Sequence, residues 1–169
     1  PEIYVMNADG SGQIRLTNNA NVEFSPSWSP DGSKIAFLTL GRSYLSVIVV
    51  MNADGTNQTV IFSSPSQIYS LNWSPDGSKI AFAANDQTAA VYLYLINADG
   101  TGKQQFTNFQ TVDSPSWSPD GRKLVFMSDG RIWTVNADGS APANLTSAGG
   151  TDVFIAKYAT CMPVEHSIS

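Results

Sequence analysis

The sequence contains one cysteine, Cys161, and one histidine, His166. A single cysteine excludes an internal disulfide and a zinc site built from cysteines. A serine hydrolase needs a histidine base beside its nucleophile, and the only histidine stands in a carboxyl-terminal stretch without recognisable pattern. The chain also has no Gly-x-Ser-x-Gly motif. We therefore predict that the protein is not an enzyme.

Charge and long hydrophobic runs are also scarce. Only 14% of the residues are charged, and nine Lys and Arg oppose 14 Asp and Glu, for a net charge of -5. A nucleic-acid-binding protein needs clustered cations to displace counterions from phosphates, so this partner class is not expected. The longest apolar runs, residues 47–51 and 89–96, are too short to cross a bilayer. No cofactor is predicted either.

Two short sequence motifs, which we call words, recur along the chain. Trp-Ser-Pro-Asp-Gly begins at Trp28, Trp73 and Trp117, and Asn-Ala-Asp-Gly begins at residues 7, 52, 97 and 136. Trp28 and Trp73 are 45 residues apart, and Trp73 and Trp117 are 44 apart. A fixed period of this length identifies a repeat array, which has to be recognised before any single residue is interpreted.

Each repeat predicts four strands joined by tight turns. Ser or Asn opens the turn and caps it through a side-chain oxygen, Asp stands third, and Gly stands fourth, where a left-handed backbone is needed. This pattern favours a type I turn with a glycine bulge, which closes an antiparallel hairpin. The turn residues with this predicted structural role are Asp9, Gly10, Asp31, Gly32, Asp54, Gly55, Asp76, Gly77, Asp99, Gly100, Asp120, Gly121, Asp138 and Gly139.

Several predicted strands are apolar at consecutive positions, as in Ile35-Ala36-Phe37. A strand that is apolar on both faces must be covered on both faces. Small sheets stacked side by side around a channel satisfy this condition, so the fold class we predict is an all-β β-propeller with four-stranded antiparallel blades. Trp28, Trp73 and Trp117 would then pack between blades, and truncation of one would cost about 3–5 kcal/mol.

The array is predicted to occupy residues 1–160 as a single unit. It comprises a half blade (1–19), three blades (20–64, 65–109 and 110–148) and an incomplete blade (149–160), followed by a degenerate tail (161–169). Two geometries remain open. Residues 152–159 can join the amino-terminal half blade to close a four-bladed ring, or the chain is part of a larger ring that missing sequence or another copy completes.

The words Trp-Ser-Pro-Asp-Gly-x-x-Ile-Ala-Phe and Ile-Tyr-Val-Met-Asn-Ala-Asp-Gly resemble the PD40, or WD40-like, repeat of TolB-type β-propellers. The resemblance covers residues 3–146 and implies a bacterial or archaeal protein located in the periplasm or at the cell surface. This sequence differs from TolB in two respects: it shows no amino-terminal α/β domain, and it has too few blades for a six-bladed ring.

Candidate binding residues are those that vary among the repeats. Propellers bind through the mouth of the channel and the loops on one face, where we predict contacts from Glu23, Phe24, Tyr69, Asp113, Arg42, Tyr44, Asp86 and Gln87. Asn-Ala-Asp-Gly is superficially similar to the start of a calcium loop, but it lacks the distal glutamate of an EF-hand. Turn capping is the interpretation we prefer, and no metal site is predicted.

The leading hypothesis is a non-enzymatic scaffold that mediates protein–protein interaction. The first alternative is a non-catalytic propeller fragment of a larger serine peptidase or lyase. The second is a self-assembling structural protein, a homo-oligomer in which half blades of neighbouring subunits close the ring. A fold alone does not decide among these functions.

Overall fold

The structure is a computed structural model that describes residues 1–40, 45–86 and 88–146. The regular secondary structure of these residues consists of 14 β-strands. They are β1 (Tyr4–Val5), β2 (Ile14–Arg15), β3 (Val22–Trp28), β4 (Lys34–Leu40), β5 (Ser46–Asn52), β6 (Thr59–Ser64), β7 (Ile68–Trp73), β8 (Lys79–Asn85), β9 (Val91–Asn97), β10 (Gln104–Gln105), β11 (Asp113–Trp117), β12 (Lys123–Ser128), β13 (Arg131–Asn136) and β14 (Ala143–Asn144).

The strands form one two-stranded and three four-stranded antiparallel sheets. Strands β1 and β2 pair as an amino-terminal hairpin, and the larger sheets are blade 1 (β3–β6), blade 2 (β7–β10) and blade 3 (β11–β14). Within each blade the strands lie in chain order, so that every connection is a hairpin. The predicted all-β propeller architecture of four-stranded antiparallel blades is confirmed.

Successive side chains of a strand point to opposite faces of the sheet, and both faces are covered here. This explains why apolar residues occupy consecutive positions. In β4, Ile35 and Phe37 point into one cluster, whereas Ala36 and Leu38 point into another on the opposite face of the sheet. All four side chains are buried. Burial of a Leu, Ile or Phe side chain contributes about 1.5–3 kcal/mol, so the contacts between blades are a main source of stability.

We call the face of a blade that packs on the following blade its forward face, and the opposite one its backward face. The seam between blades 1 and 2 joins a forward face of Ala36, Leu38, Ile48 and Val50 to a backward face of Trp73, Ile80, Phe82, Tyr94 and Ile96. The seam between blades 2 and 3 repeats this arrangement with Ala81, Ala83, Leu93 and Leu95 against Val112, Leu124, Phe126 and Val135.

The repeated tryptophans differ in their burial. Trp73 is 7% exposed inside the first seam, and Trp117 and Trp133 are half-buried against the second. Trp28 is 51% exposed, so the described residues do not enclose its indole between two blades, and its packing role stays a prediction. Among the described residues, the sheet beside this face of blade 1 is the two-stranded hairpin β1–β2, which contains no inner strand to cover Trp28.

The turns follow the repeated words. In the first Ser-Pro-Asp-Gly turn, the Gly32 N–H donates to the Ser29 carbonyl at 2.9 Å, and Gly32 has a φ of +69°. The Asp31 carboxylate accepts from the Ser29 hydroxyl at 2.6 Å and from the Ser33 N–H at 3.1 Å. This turn therefore satisfies several of its polar groups with hydrogen bonds between its own residues.

The predicted incomplete blade 149–160 and the tail 161–169, with Cys161 and His166, lie outside the described residues. The proposed domain limits therefore remain predictions. Within the described ranges, there is no helix with the length and apolar character needed to span a membrane.

Candidate functional site

The inner strands β3, β7 and β11 lie next to one another and form the channel wall. Their contacts are side-chain hydrogen bonds rather than sheet pairing: the Ser25 hydroxyl donates to the Tyr69 carbonyl at 3.3 Å. Further along, Ser70 Oγ lies 3.4 Å from Asp113 Oδ1 and accepts from the Ser114 N–H at 3.2 Å. The three serines thus connect successive blades along the channel.

An irregularity at the same point of each inner strand places these serines. The pairing register shifts between Phe24 and Ser27 in β3 and between Asp113 and Ser116 in β11. Ser25 and Ser114 have φ values of +50° and +49°, a left-handed conformation that is uncommon outside glycine. A bulge bends the strand and redirects its side chains, which is a frequent device next to binding sites.

Tyr69 and Asp113 are the two predicted channel-mouth residues that the structure leaves accessible. Both side chains are exposed, and they belong to neighbouring inner strands. Asp113 Oδ1 also accepts from the Ser114 N–H at 2.6 Å, so its carboxylate is held in place by the bulge. An exposed aromatic residue and a carboxylate held by hydrogen bonds therefore lie on neighbouring inner strands.

Glu23 does not fit the predicted role of a ligand contact, because its side chain is buried. Its carboxylate accepts from the Thr17 hydroxyl and from Asn19 Nδ2, the latter at 2.6 Å. Thr17 also accepts from the Ile3 N–H at 2.9 Å, which joins the amino-terminal hairpin to blade 1. Glu23 is a structural residue of this junction. Phe24 is half-buried and packs against the first seam.

The predicted loop contacts are represented by Asp86 alone. Its Oδ1 accepts from both the N–H and the hydroxyl of Thr88, each at 2.7 Å, so the carboxylate closes its own turn. Arg42, Tyr44 and Gln87 lie outside the described residues. Of the four predicted loop contacts, the structure therefore describes only Asp86, whose carboxylate takes part in its own turn.

The repeated aspartates are engaged in their turns. The Ser29 hydroxyl, assisted by the Ser33 N–H and hydroxyl, lowers the pKa of Asp31 to about 2. Hydroxyl and N–H donors of the turn lower the pKa of Asp9, Asp54, Asp76, Asp99, Asp120 and Asp138 in the same way. In residues 1–40, 45–86 and 88–146, no three His, Cys, Asp or Glu side chains are arranged to hold a metal ion.

The serine contacts between inner strands could have been predicted from the sequence, but not from the positions that vary among the repeats. Ser25, Ser70 and Ser114 each stand three residues before a repeated tryptophan. A polar residue kept at the same position of all three inner strands indicates a repeated polar contact. Constant serines thus link the inner strands next to the varied positions Tyr69 and Asp113.

Comparison with known proteins places this geometry in one family. The PD40 family model, described as "TolB beta propeller domain", matches residues 1–151. The Tol-Pal system protein TolB of Blochmanniella pennsylvanica is 35% identical over 48 residues, which cover 28% of this chain and 11% of that protein. This chain therefore spans only a small part of the curated relative.

Solved structures extend the likeness to the fold. The crystal structure of TolB from Acinetobacter baumannii superposes with a TM-score of 0.78 at 22% identity, covering 86% of this chain and 37% of that one. An oligogalacturonate lyase in complex with manganese gives a TM-score of 0.68 at 17% identity, covering 86% of this chain and 47% of that one. At these identities the similarity shows the propeller fold and leaves the activity open.

Proposed function

Because the chain belongs to the family of TolB β-propeller domains, we propose that it is a non-enzymatic scaffold that binds a protein partner at the mouth of its channel. The observation that carries this proposal is the exposed pair of Tyr69 and Asp113 on adjacent bulged strands. Tyrosine is enriched at protein interfaces because it buries a large ring and keeps a polar group for hydrogen bonding.

The rigidity of the wall supports binding without a large ordering cost. Ser70 contacts Asp113 and Ser114, and Ser25 contacts the Tyr69 backbone, so both binding residues are fixed by neighbouring blades. Preorganisation of this kind improves affinity by reducing the entropy lost on association. A basic or amphipathic segment of the partner fits the pair, with its cation on Asp113 and its apolar side chain on Tyr69.

The family likeness also suggests where binding takes place. The relative from Blochmanniella pennsylvanica is named as a protein of the Tol-Pal system, and the resemblance implies a location in the periplasm or at the cell surface. As part of the proposal, we assign to this chain both a role in such a protein system and this location. The chain covers only part of its relatives, so the whole protein's partners are likewise proposals.

A second candidate is the non-catalytic propeller part of a larger lyase or peptidase. It is favoured by the structural similarity to the oligogalacturonate lyase, of which this chain covers 47%. In that case the channel mouth would contact a polysaccharide or a neighbouring catalytic domain instead of a separate protein. The two candidates therefore predict different molecules in contact with Tyr69: a separate protein for the first, and a polysaccharide or a catalytic domain for the second.

Site-specific cross-linking tests the proposal directly. A photoreactive phenylalanine analogue replaces Tyr69 in the full chain, and the same analogue at the exposed outer-strand residue Gln105 is the matched control. After irradiation in a periplasmic extract, we expect a protein adduct from position 69 only, abolished by Asp113→Asn. Equal adducts at both positions, or none at position 69, would contradict a channel-mouth protein site. Turnover of oligosaccharide by the unmodified chain would favour the lyase relationship.

A further inference from the structure

The dipeptide Asp-Gly occurs eight times in the chain. Spontaneous isomerisation of aspartate is fastest before glycine, because a residue without a side chain hinders ring closure least. Seven of the pairs lie in the repeated words, whereas the eighth, Asp129-Gly130, joins β12 to β13. The structure places these chemically identical pairs in two settings, which differ in how far the reacting atoms are restrained.

In every word turn, both reacting groups are engaged. The glycine N–H donates to the carbonyl of the residue three positions earlier at 2.8–2.9 Å, as Gly32 does to Ser29. The aspartate accepts from the N–H of the residue two positions later, as Asp31 does from Ser33. Hydroxyl donors, together with this N–H, lower the pKa of all seven carboxyl groups. These groups stay ionised and are therefore poor electrophiles.

The turn at Asp129-Gly130 is built differently. Asp129 and Gly130 have φ values of +51° and +70°, and the flanking Ser128 and Arg131 are paired, as in a two-residue hairpin loop of type I′. In such a loop the flanking residues make the closing hydrogen bonds. The Gly130 N–H makes no hydrogen bond to a described residue, and a Cβ at Gly130 would meet nothing within 4 Å. This peptide unit therefore has a free nitrogen and room to rotate.

We propose that Asp129 is a site of spontaneous isomerisation to isoaspartate. The Gly130 nitrogen attacks Cγ of Asp129, its proton and the hydroxyl of the protonated carboxyl group leave as water, and a succinimide ring forms. Water then adds to the former backbone carbonyl carbon of Asp129 and breaks the bond from that carbon to nitrogen. The chain afterwards runs through Cβ and Cγ and is longer by a single carbon, and the former backbone carbonyl becomes the free carboxylate.

The added carbon falls at a contact that holds the start of β11. The Asp129 N–H donates to Thr111 Oγ1 at 2.8 Å, and Asp129 Oδ1 accepts from the same hydroxyl at 2.7 Å. The next residue, Val112, donates its N–H to the Val91 carbonyl at 2.9 Å, and Asp113 follows. A longer turn cannot keep both contacts to Thr111 in this geometry. We therefore expect isomerisation to loosen the start of the strand that carries Asp113.

Two single variants provide matched reporters. Asparagine before glycine cyclises by the same route with ammonia as the leaving group, and the heavier product is followed by mass spectrometry. Asp129→Asn tests the hairpin loop, and Asp31→Asn tests a word turn. In neutral buffer we expect Asp129→Asn to deamidate about tenfold faster or more, because a word turn has to open locally before it reacts. In urea, where neither turn is formed, the two rates should be similar. Equal rates in the folded proteins would overturn the proposal.

The wild-type chain is tested for the aspartate reaction itself. The folded protein is aged in warm buffer, digested, and labelled with an isoaspartyl methyltransferase. We expect the label in the peptide that contains Asp129 and little in the peptides of the word turns. Circular dichroism verifies that the aged protein is folded. Isoaspartate spread evenly over all eight pairs would contradict the proposal, as would its absence at position 129 under conditions where the chain forms it in urea.

Amide hydrogen exchange at Val112 measures the effect on β11. Exchange should become faster as the wild-type chain ages, and it should not change with time in Asp129→Gly, which has no carboxyl group to cyclise. Unchanged exchange in a sample that contains isoaspartate would show that β11 does not depend on this contact.

The effect on partner binding alone rests on the proposed function. It is measured by cross-linking from position 69 before and after ageing, and we expect a weaker adduct in the aged wild-type chain. Absence of an adduct in the fresh protein would contradict the proposed function, whereas the methyltransferase assay decides this inference without a partner. An adduct that stays constant while isoaspartate accumulates would show that the binding site does not depend on the turn at Asp129.

Discussion

The backbone N–H of Trp73 in blade 2 donates a hydrogen bond of 3.1 Å to the hydroxyl oxygen of Ser27 in blade 1. The equivalent bond one blade further joins the Trp117 N–H to Asn72 Oδ1 at 3.0 Å. The residue before each tryptophan thus holds the inner strand of the following blade. Two different side chains, a serine and an asparagine, make the same contact in successive seams.

Removal of this acceptor should loosen one seam. In Ser27→Ala, the part-buried Trp73 N–H loses its partner, and we expect the free energy of unfolding to fall by about 1–2 kcal/mol. Ser27→Asn supplies the acceptor that blade 2 uses and should recover part of the loss. Urea denaturation followed by tryptophan fluorescence measures both variants. Equal stability of Ser27→Ala and the wild type would show that the bond contributes nothing.

Two tryptophans in identical sequence words should differ in their contribution to stability. Trp73→Ala removes a buried ring from the first seam and should cost about 3–5 kcal/mol. Trp28→Ala removes a ring that is 51% exposed, and the cost should be about half of that or less. Chemical denaturation of the two variants compares them directly. A larger loss for Trp28 would contradict the assignment of buried and open faces.

The same tryptophans show how far the sequence alone leads. Repeated turns and doubly apolar strands are local properties, so they predict the four strands of each blade and the sheet order. Burial of Trp28 depends instead on whether a complete sheet precedes blade 1, which no local pattern reports. Among the described residues, the hairpin β1–β2 stands before blade 1 and leaves this indole half exposed.

Glu23 illustrates the same limit at the candidate site. It occupies the position of Ile68 and Val112, which are both buried, so the two apolar residues indicated an inward position. Its polar character favoured a surface role from sequence alone. The partner that makes burial tolerable, Thr17, comes from the connection before β3 and is recognised only from the folded structure.

Two glycines in the same turn word provide a matched test of close packing. Gly10 and Gly100 have φ values of +84° and +87°, so alanine is strained at both positions. A Cβ at Gly100 would clash with the Ile61 carbonyl oxygen, whereas a Cβ at Gly10 would meet nothing within 4 Å. Gly10→Ala should therefore cost about 1–2 kcal/mol, the penalty of the left-handed backbone.

Gly100→Ala should cost more, by about 1–3 kcal/mol, because the outer strand of blade 1 has to move away from the turn. Thermal unfolding monitored by circular dichroism measures both variants against the wild type. The difference between them isolates the contact with Ile61, since the backbone strain is common to both. Equal destabilisation would mean that the seam widens at no cost.

Acid should weaken the fold through the repeated turns. The pKa of Asp31 is held at about 2 by the Ser29 hydroxyl and by the Ser33 N–H and hydroxyl, below its ordinary value of 3.8. A carboxyl group with a lowered pKa in the folded state stabilises the protein above the pKa of the unfolded state. This contribution is lost as pH falls from about 4 through about 2. The six other turn aspartates act in the same direction.

The prediction is tested with Asp31→Asn, which keeps an acceptor oxygen in the turn and removes the titrating charge. At pH 7 the variant should melt below the wild type, and the difference should shrink between pH 4 and pH 2 until the two melting temperatures converge. Ser29→Ala should reduce the same pH dependence, because the hydroxyl is the main donor to this carboxylate. A difference between Asp31→Asn and the wild type that stays constant down to pH 2 would mean that the charge of Asp31 does not stabilise the turn.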